Sequence, residues 1–178
     1  MSKALILLAD GFEETEAIAT ADILRRAGVQ TTISGISGSM VTGRSKIRLY
    51  SDIHLMDADP TKYDCLIIPG GDASVEAMIR DSKLLELIRN FYSSGKVVAA
   101  ICAGPLVLVK AGVLKDKKAT IFPGMERNLD RPRAEKVVVD ENIITSQGPG
   151  TAVEFGLKIV EVLLGKPTSA KIRQEIVA

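Results

Sequence analysis

The chain has 178 residues, of which 46% are hydrophobic and 25% are charged, a balance typical of one globular domain with a substantial core. We therefore expect residues 1–178 to form a single domain. The 23 Lys and Arg against 22 Asp and Glu give a formal net charge of only +1. This argues against a general nucleic-acid binder and a polybasic membrane-surface protein, because both need a surplus of cations.

The amino-terminal apolar run and the cysteine count favour the cytoplasm. Ala4–Ala9 stops at Asp10, which is too short for a signal peptide with its cleavage site and far too short to cross a bilayer. The two cysteines cannot form a disulfide framework, so free thiols in a reducing compartment are expected.

Short apolar runs alternate with amphipathic stretches along the chain. Ala4–Ala9 is typical of a strand buried on both faces, and the acidic cluster after it opens a helix that ends at Gly28. Strands that alternate with helices predict a mostly parallel sheet covered on both faces. The further predicted strands are Val29–Ile33, Cys65–Ile68, Val97–Ile101, Val137–Val139 and Ile143–Thr145, and the further predicted helices are Ser82–Ser94 and Gly104–Ala111.

Two later segments carry more specific signals. Lys46–Leu55 alternates apolar and polar residues, which predicts a half-exposed strand or small hairpin on the margin of the sheet. Thr151-Ala152-Val153-Glu154 fits a capping box at the start of the last long helix, whose apolar stripe begins at Val153 and which ends at Gly165.

The sequence around Cys102 predicts a buried strand, a sharp turn and a helix. The small residues Ala100 and Gly104 lie two positions to either side of Cys102, which is the spacing of a nucleophile elbow. The free amides and dipole of the following helix would favour the thiolate and lower the pKa of Cys102. An inert buried cysteine is the alternative, and it is the interpretation we prefer for Cys65, which lies inside an apolar strand.

Two other segments follow strands at the carboxyl edge of the sheet, where ligands bind in open α/β folds. Gly70-Gly71 comes after Pro69, and its amides would suit an oxyanion hole beside Cys102, although a plain turn is the alternative. Glu13, Glu14 and Glu16 follow the first strand, and capping or the helix dipole accounts for at least two of them.

One carboxyl of that trio, buried beside a thiolate, would have a raised pKa and would donate and later accept a proton. The residues alone do not select which one. His54, the single histidine, shares the polar face of its segment and is interpreted as solvated. One His and two Cys give no ligand cluster with metal-site spacing, so we expect no metal or organic cofactor.

Four motifs together resemble a known family over nearly the whole chain. They are GFEETEA at Gly11–Ala17, IIPGG at Ile67–Gly71, AAICAGP at Ala99–Pro105 and TSQGPGTAVEFGLKIV at Thr145–Val160. The chain resembles the ThiJ/PfpI superfamily, in particular its Parkinson-disease-associated protein deglycase branch and, within it, the bacterial YajL-like members. The resemblance implies a flavodoxin-like three-layer sandwich and a homodimer.

The resemblance also implies roles for single residues. Cys102 would be the functional thiol and Glu16, rather than Glu13 or Glu14, its carboxyl partner. The resemblance assigns the amides of Gly71 and Ala103 to the anion pocket, to which the Gly70-Gly71 turn also contributes Gly70 as a candidate. It places Arg26 and Arg44 near the pocket and the dimer interface.

Two positions depart from relatives. PfpI-type proteases have a histidine directly after the cysteine, where this chain has Ala103, so a Cys-His peptidase is not expected. Many members of the branch place a histidine before a proline in a later loop facing the thiol. Here the matching pair is Phe122-Pro123, as in the YajL-like members, and one proton-transfer group is missing.

The first hypothesis is therefore an enzyme that acts on reactive 2-oxoaldehydes or their glycated adducts, of the glyoxalase III or protein deglycase type. Cys102 would form a hemithioacetal and Glu16 would shuttle protons. The alternative is a redox-responsive chaperone or oxidative-stress sensor that uses oxidation of Cys102. The expected partners are the small substrate and a second copy of the chain, without a membrane or sequence-specific nucleic acid.

Overall fold

The computed structural model describes Met1 to Ala178 as helices packed on both faces of a seven-stranded sheet. The strands are β1 (Lys3–Leu8), β2 (Gln30–Gly35), β3 (Met40–Thr42), β4 (Arg48–Tyr50), β5 (Ile53–His54), β6 (Cys65–Ile68), β7 (Val97–Ile101), β8 (Lys118–Ala119), β9 (Arg131–Pro132), β10 (Val137–Asp140) and β11 (Ile143–Ser146). The helices are α1 (Glu14–Arg26), α2 (Asp72–Arg80), α3 (Ser82–Ser93), α4 (Pro105–Ala111), α5 (Ala152–Leu164) and α6 (Lys166–Glu175).

The main sheet runs in the order β10-β11-β7-β6-β1-β2-β5, and only the β10–β11 pair is antiparallel. The five central strands, taken in chain order, form a 2-1-3-4-5 arrangement, which is the flavodoxin-like order. The strand that follows β1 in the chain, β2, lies on one side of it, whereas β6 lies on the other side. The carboxyl ends of β1 and β6 therefore flank the crevice where such folds bind ligands.

Alternate residues of the same strand enter two separate halves of the core. Ile6 of β1 packs with residues of α1, α5 and α6 on one face, whereas Leu5 packs with residues of α2, α3 and α4 on the other. Both side chains are fully buried. This two-sided burial explains why the central strands are continuous apolar runs rather than alternating ones.

The mixed α/β sandwich, its mostly parallel sheet and the small hairpin are confirmed. The strands Cys65–Ile68 and Val97–Ile101 have the predicted bounds, and the other strands and helices shift by one or two residues at an end. The predicted marginal segment divides in two. Its first part, β4, forms a separate antiparallel hairpin with β3, which precedes the predicted segment, while its second part, β5, joins the main sheet beside β2.

The predicted capping box of the last long helix is wrong. Pro149–Thr151 forms a 3₁₀ turn, which brings the Thr151 hydroxyl back to the Gly148 carbonyl at 2.8 Å instead of to the first amides of α5. Glu154 pairs with Lys136 at 3.5 Å, and Val153 is 38% exposed.

The helices α2 and α6 were not predicted. None of the six helices is long and apolar enough to cross a membrane.

Candidate active site

Cys102 lies at a strained turn directly after β7. Its φ is +64°, a conformation that costs a residue with a side chain about 1–3 kcal/mol and persists only where the surroundings enforce it. A Cβ at Gly104 would lie 2.6 Å from the Ile68 carbonyl oxygen and 2.8 Å from that of Ile101. The turn into α4 therefore requires glycine at this position, as the elbow spacing predicted.

Two hydrogen bonds fix the backbone of Cys102. Its N–H donates to the Ser146 carbonyl at the end of β11, at 3.0 Å, and its carbonyl accepts from the Phe122 N–H at 3.0 Å. The side chain is 8% exposed. The thiol is thus held at the carboxyl edge of the sheet with a small opening to solvent.

Glu16 reaches the same place from the first turn of α1. Its carboxyl is fully buried, and Oε2 accepts a hydrogen bond of 2.6 Å from the Gly70 N–H. Its Oε1 has no hydrogen-bond partner. The glutamate is therefore anchored by one oxygen while the other is free within the site.

The other two glutamates of the trio have structural roles. Glu13 is the N-cap of α1, and its side chain accepts from the Glu16 N–H at 2.8 Å, which is the predicted capping role. Glu14 instead tethers the loop of the β3–β4 hairpin, because its Oε1 accepts from the Ser45 N–H at 2.8 Å. A Cβ at Gly43 would lie only 2.2 Å from that oxygen, so the tether depends on a glycine in the loop.

The close approach of the thiol and the carboxyl depends on Gly70. A Cβ on Gly70 would lie 2.7 Å from Cys102 Cβ, 3.1 Å from Cys102 Sγ and 2.8 Å from Glu16 Oε2. The glycine leaves room for both groups. Its amide, however, is engaged by Glu16, so Gly70 cannot supply the anion-binding N–H that the Gly70-Gly71 turn predicted.

The amides of Gly71 and Ala103 remain available. Neither N–H donates to a backbone carbonyl, and the Ala103 N–H points towards the Cys102 sulfur, where it favours the thiolate. Gly71 has a φ of +97°, and a Cβ there would clash with the Gly11 carbonyl oxygen at 2.1 Å. These two N–H groups are the donors that could hold an oxyanion at the site.

Burial controls the electrostatics of the pair. Burial raises the pKa of Glu16 to about 7, and the Gly70 N–H, the Cys102 thiol and the charge of Arg44 oppose this rise. Burial and the neighbouring Glu16 carboxylate raise the pKa of Cys102 to about 12. The predicted lowering of the thiol pKa is therefore wrong, because desolvation and the carboxylate outweigh the Ala103 amide.

Above about pH 7 the pair therefore carries one proton, which is on sulfur, and below that pH Glu16 is protonated as well. A buried carboxylate beside a neutral thiol is arranged to act as its base. Protonation of Glu16 removes the charge that disfavours the thiolate, so the two groups titrate together rather than independently.

The two arginines differ in position. Arg44 is exposed, lies close enough to lower the pKa of Glu16, and lines a cleft of about 610 Å³ beside the hairpin. Arg26 is at the opposite end of α1 from Glu16, where it forms an ion pair of 2.6 Å with Asp22. The structure therefore brings Arg44 to the site and leaves Arg26 outside the pocket.

The remaining candidate residues do not contribute to the site. Cys65 is fully buried within β6, and burial raises the pKa of its thiol. His54 Nδ1 accepts from the Met56 N–H at 3.1 Å. No group of three or more His, Cys, Asp or Glu side chains is placed to hold a metal ion. Only the resemblance brought the Phe122-Pro123 loop close to Cys102, because no local pattern links residues so far apart; the structure joins them by the hydrogen bond from the Phe122 N–H to the Cys102 carbonyl.

Relatives of known name and structure match most of the chain. The protein dj-1beta of Drosophila melanogaster is 43% identical over 172 residues, which are 93% of this chain and 92% of the relative. The glutathione-independent glyoxalase DJR-1.2 of Caenorhabditis elegans is 38% identical over 170 residues, 91% of this chain and 89% of the relative. The structure of oxidized Toxoplasma gondii DJ-1 matches with a TM-score of 0.95 at 32% identity, covering 99% of this chain and 98% of that one.

The family model agrees with these relatives in extent. Residues 2–162 match the model of the DJ-1/PfpI family, a range that includes β1, the Cys102 elbow and most of α5. The chain therefore belongs to the DJ-1/PfpI family.

Proposed function

We propose that this protein is a cysteine-dependent enzyme that converts reactive 2-oxoaldehydes, or their adducts on other molecules, into 2-hydroxy acids. The observation that carries the proposal is that the Cys102 thiol and the Glu16 carboxyl lie together against Gly70. The N–H groups of the adjoining residues Gly71 and Ala103, which donate to no backbone carbonyl, are at the same carboxyl edge of the sheet. The existence of a relative named as a glutathione-independent glyoxalase supports the same chemistry.

In the first step, Cys102 Sγ attacks the aldehyde carbon while the thiol proton passes to the Glu16 carboxylate. The carbonyl oxygen gains negative charge and is stabilised by the N–H groups of Gly71 and Ala103. Glu16 then returns the proton to that oxygen. The product is a neutral hemithioacetal, and Glu16 is again a carboxylate.

In the second step, Glu16 removes the hydrogen of the former aldehyde carbon as a proton, and the electron pair of that bond moves towards the neighbouring ketone to give an enediolate. Glu16 returns the proton to the second carbon, and the hydroxyl proton of the first carbon passes to the oxygen of the second, which gives a thioester of the 2-hydroxy acid. Water then cleaves the bond between carbon and sulfur and restores the thiol. One substrate carbon is oxidised as its neighbour is reduced, so methylglyoxal plus water gives lactate without an external oxidant or reductant.

The pKa of Glu16 suits this double role. General acid–base catalysis is most efficient when the pKa of the catalytic group lies near the working pH, and burial raises the pKa of Glu16 to about 7. An exposed glutamate would remain ionised and could not return the proton as readily.

The test is lactate formation from methylglyoxal by the wild type, Cys102→Ala and Glu16→Gln. We expect no activity in the first variant and a loss of at least about a hundredfold in the second, the usual contribution of a general acid–base group. Cys65→Ala is the matched control, because it removes the other thiol outside the site, and it should retain activity. Equal rates in the wild type and Cys102→Ala would overturn the proposal.

A second candidate function is oxidation sensing through Cys102. The buried Glu16 Oε1 has no hydrogen-bond partner, and a protonated carboxyl there would donate to an oxidised sulfur. The test is mild peroxide treatment followed by mass spectrometry, an aggregation assay with an unfolded protein as the client, and a methylglyoxal assay. A gain of two oxygen atoms on Cys102 alone, a change in aggregation of the client protein and negligible turnover would favour this function. Unmodified Cys102 would exclude it.

We also propose that the protein is a cytoplasmic homodimer of the YajL-like branch. Exposed apolar side chains on α1 and the hairpin support the dimer, because Ile18 is 44%, Ile47 60% and Tyr50 74% exposed and burial of apolar surface favours association. Phe122, in place of the histidine of many relatives, supports the branch. Sedimentation velocity tests the dimer, and a monomer mass at micromolar concentration would refute it.

A further inference from the structure

The ring of Phe122 lies outside the hydrophobic core. The chain has four phenylalanines, and Phe12, Phe91 and Phe155 are all 2% exposed or less, whereas Phe122 is 44% exposed. Leaving so large an apolar surface in water forgoes the stabilisation that its burial would provide. Contact with a bound molecule would recover part of that stabilisation.

The backbone of Phe122 is rigidly attached to the residue that carries the thiol. Its N–H donates to the Cys102 carbonyl at 3.0 Å, and its carbonyl accepts from the Met125 N–H at 3.0 Å. Pro123 and Gly124, with a φ of +95°, occupy the two central positions of this turn, as a type II turn requires. The position of Phe122 is consequently fixed relative to Cys102.

The ring of Phe122 packs against the backbone of Gly148. A Cβ at Gly148 would lie 3.3 Å from Phe122 Cδ2 and 3.6 Å from Cε2, so the ring packs directly against that backbone. Gly148 is two residues from Ser146, whose carbonyl accepts the Cys102 N–H. The loop after β11 and the turn at Phe122 thus both start at hydrogen bonds to the Cys102 backbone, and together they hold the half-exposed ring of Phe122.

We propose that Phe122 determines substrate preference by binding the substituent on the ketone carbon, and that it selects 2-oxoaldehydes in which this group is aromatic or large and apolar. This inference rests on the proposed function. A phenyl ring cannot transfer a proton, so Phe122 contributes through contact with the substrate. Methyl, the substituent of methylglyoxal, covers little of the ring, whereas a phenyl substituent can stack on it or meet its edge.

The first experiment compares kcat/KM for phenylglyoxal and methylglyoxal. We expect Phe122→Ala to lower the phenylglyoxal to methylglyoxal ratio by about tenfold, mainly through KM, because a contact made with the bound substrate is lost. Phe122→Leu, which retains apolar volume, should lower the ratio less. Val139→Ala is the control, because Val139 is an apolar residue of similar exposure, 41%, on the edge strand β10. The phenylglyoxal to methylglyoxal ratio of this variant should match that of the wild type.

An unchanged ratio in both Phe122→Ala and Phe122→Leu would overturn the inference. Phe122→Leu also decides the question if the alanine variant does not fold, because a wild-type ratio in a folded leucine variant contradicts an aromatic contact.

A binding measurement separates this inference from the proposed function. Phenylglyoxylate and pyruvate are the carboxylate counterparts of the two aldehydes and have no aldehyde to react. We expect phenylglyoxylate to raise the Tm of the wild type at about tenfold lower concentration than pyruvate, and this difference should disappear in Phe122→Ala. Selective binding without turnover of either aldehyde would overturn the proposed function alone, whereas turnover with equal binding of the two acids would overturn only the role of Phe122.

Discussion

Replacement of Glu16 by glutamine tests whether burial controls the electrostatics of the site. The carboxyl is fully buried, and burial raises its pKa from 4.5 to about 7. Glutamine has nearly the same shape, retains an oxygen that can accept from the Gly70 N–H, and cannot ionise. The variant therefore removes the cost of a buried charge while it keeps the packing.

The sign and the size of the effect follow from proton linkage. The folded protein holds the Glu16 proton more tightly than the unfolded chain, so the stabilisation from that proton is complete below pH 4.5 and is lost as the pH rises through about 7. At about 1.4 kcal/mol for each pKa unit, the difference between these two values corresponds to about 3 kcal/mol. The wild type should lose about this much stability relative to Glu16→Gln between acidic and mildly alkaline pH.

Denaturant unfolding of both proteins at about pH 4.5 and about pH 8 measures the effect. The free energies of unfolding should differ least at the lower pH, and the variant should gain relative to the wild type at the higher pH. Glu86→Gln is the control for a change of surface charge, because Glu86 is exposed on α3, and its difference from the wild type should vary little with pH. A difference for Glu16→Gln that is the same at both pH values would refute the reasoning from burial.

Three further predictions concern the same site. Gly70→Ala should cost about 1–3 kcal/mol in unfolding experiments because its methyl group overlaps Cys102 and Glu16, and it should lower methylglyoxal turnover by about a hundredfold through their displacement; wild-type turnover would contradict the crowded geometry. Lactate formation should rise with pH through about 7 as Glu16 loses its proton, and this limb of the pH–rate profile should be absent from the residual activity of Glu16→Gln. Glu13→Ala should lower stability by about 1 kcal/mol through loss of the α1 cap, and an unchanged Tm would show that the cap contributes nothing.

Local sequence patterns were sufficient where structure depends on neighbours along the chain. The continuous apolar runs Cys65–Ile68 and Val97–Ile101 became central strands with the predicted bounds, because burial on both faces leaves no polar position within the strand. The capping box failed for the complementary reason. Thr151 had an acceptor at the Gly148 carbonyl, and the Pro149 turn that makes this acceptor available is not part of the capping pattern.

The assignment among the three glutamates shows the same division. All three lie within the four residues 13–16, between the end of β1 and the first turn of α1, and composition did not separate them. The fold separates them by what each meets: Glu13 meets the first amides of α1, Glu14 the hairpin loop and Glu16 the Gly70 amide. The last two contacts are made with segments remote in sequence, so no local pattern could predict them.

The sequence by itself determined the alternating strands and helices and the elbow at Cys102, because both depend on the size and polarity of residues a few positions apart. Only the tertiary structure decided that Glu16 lies against Gly70, that the Gly70 amide is already engaged, that the pKa of Cys102 is raised rather than lowered, and that the Phe122 N–H binds the Cys102 carbonyl. Desolvation depends on how much of the chain packs around a group, and that is a property of contacts between segments that the fold alone brings together.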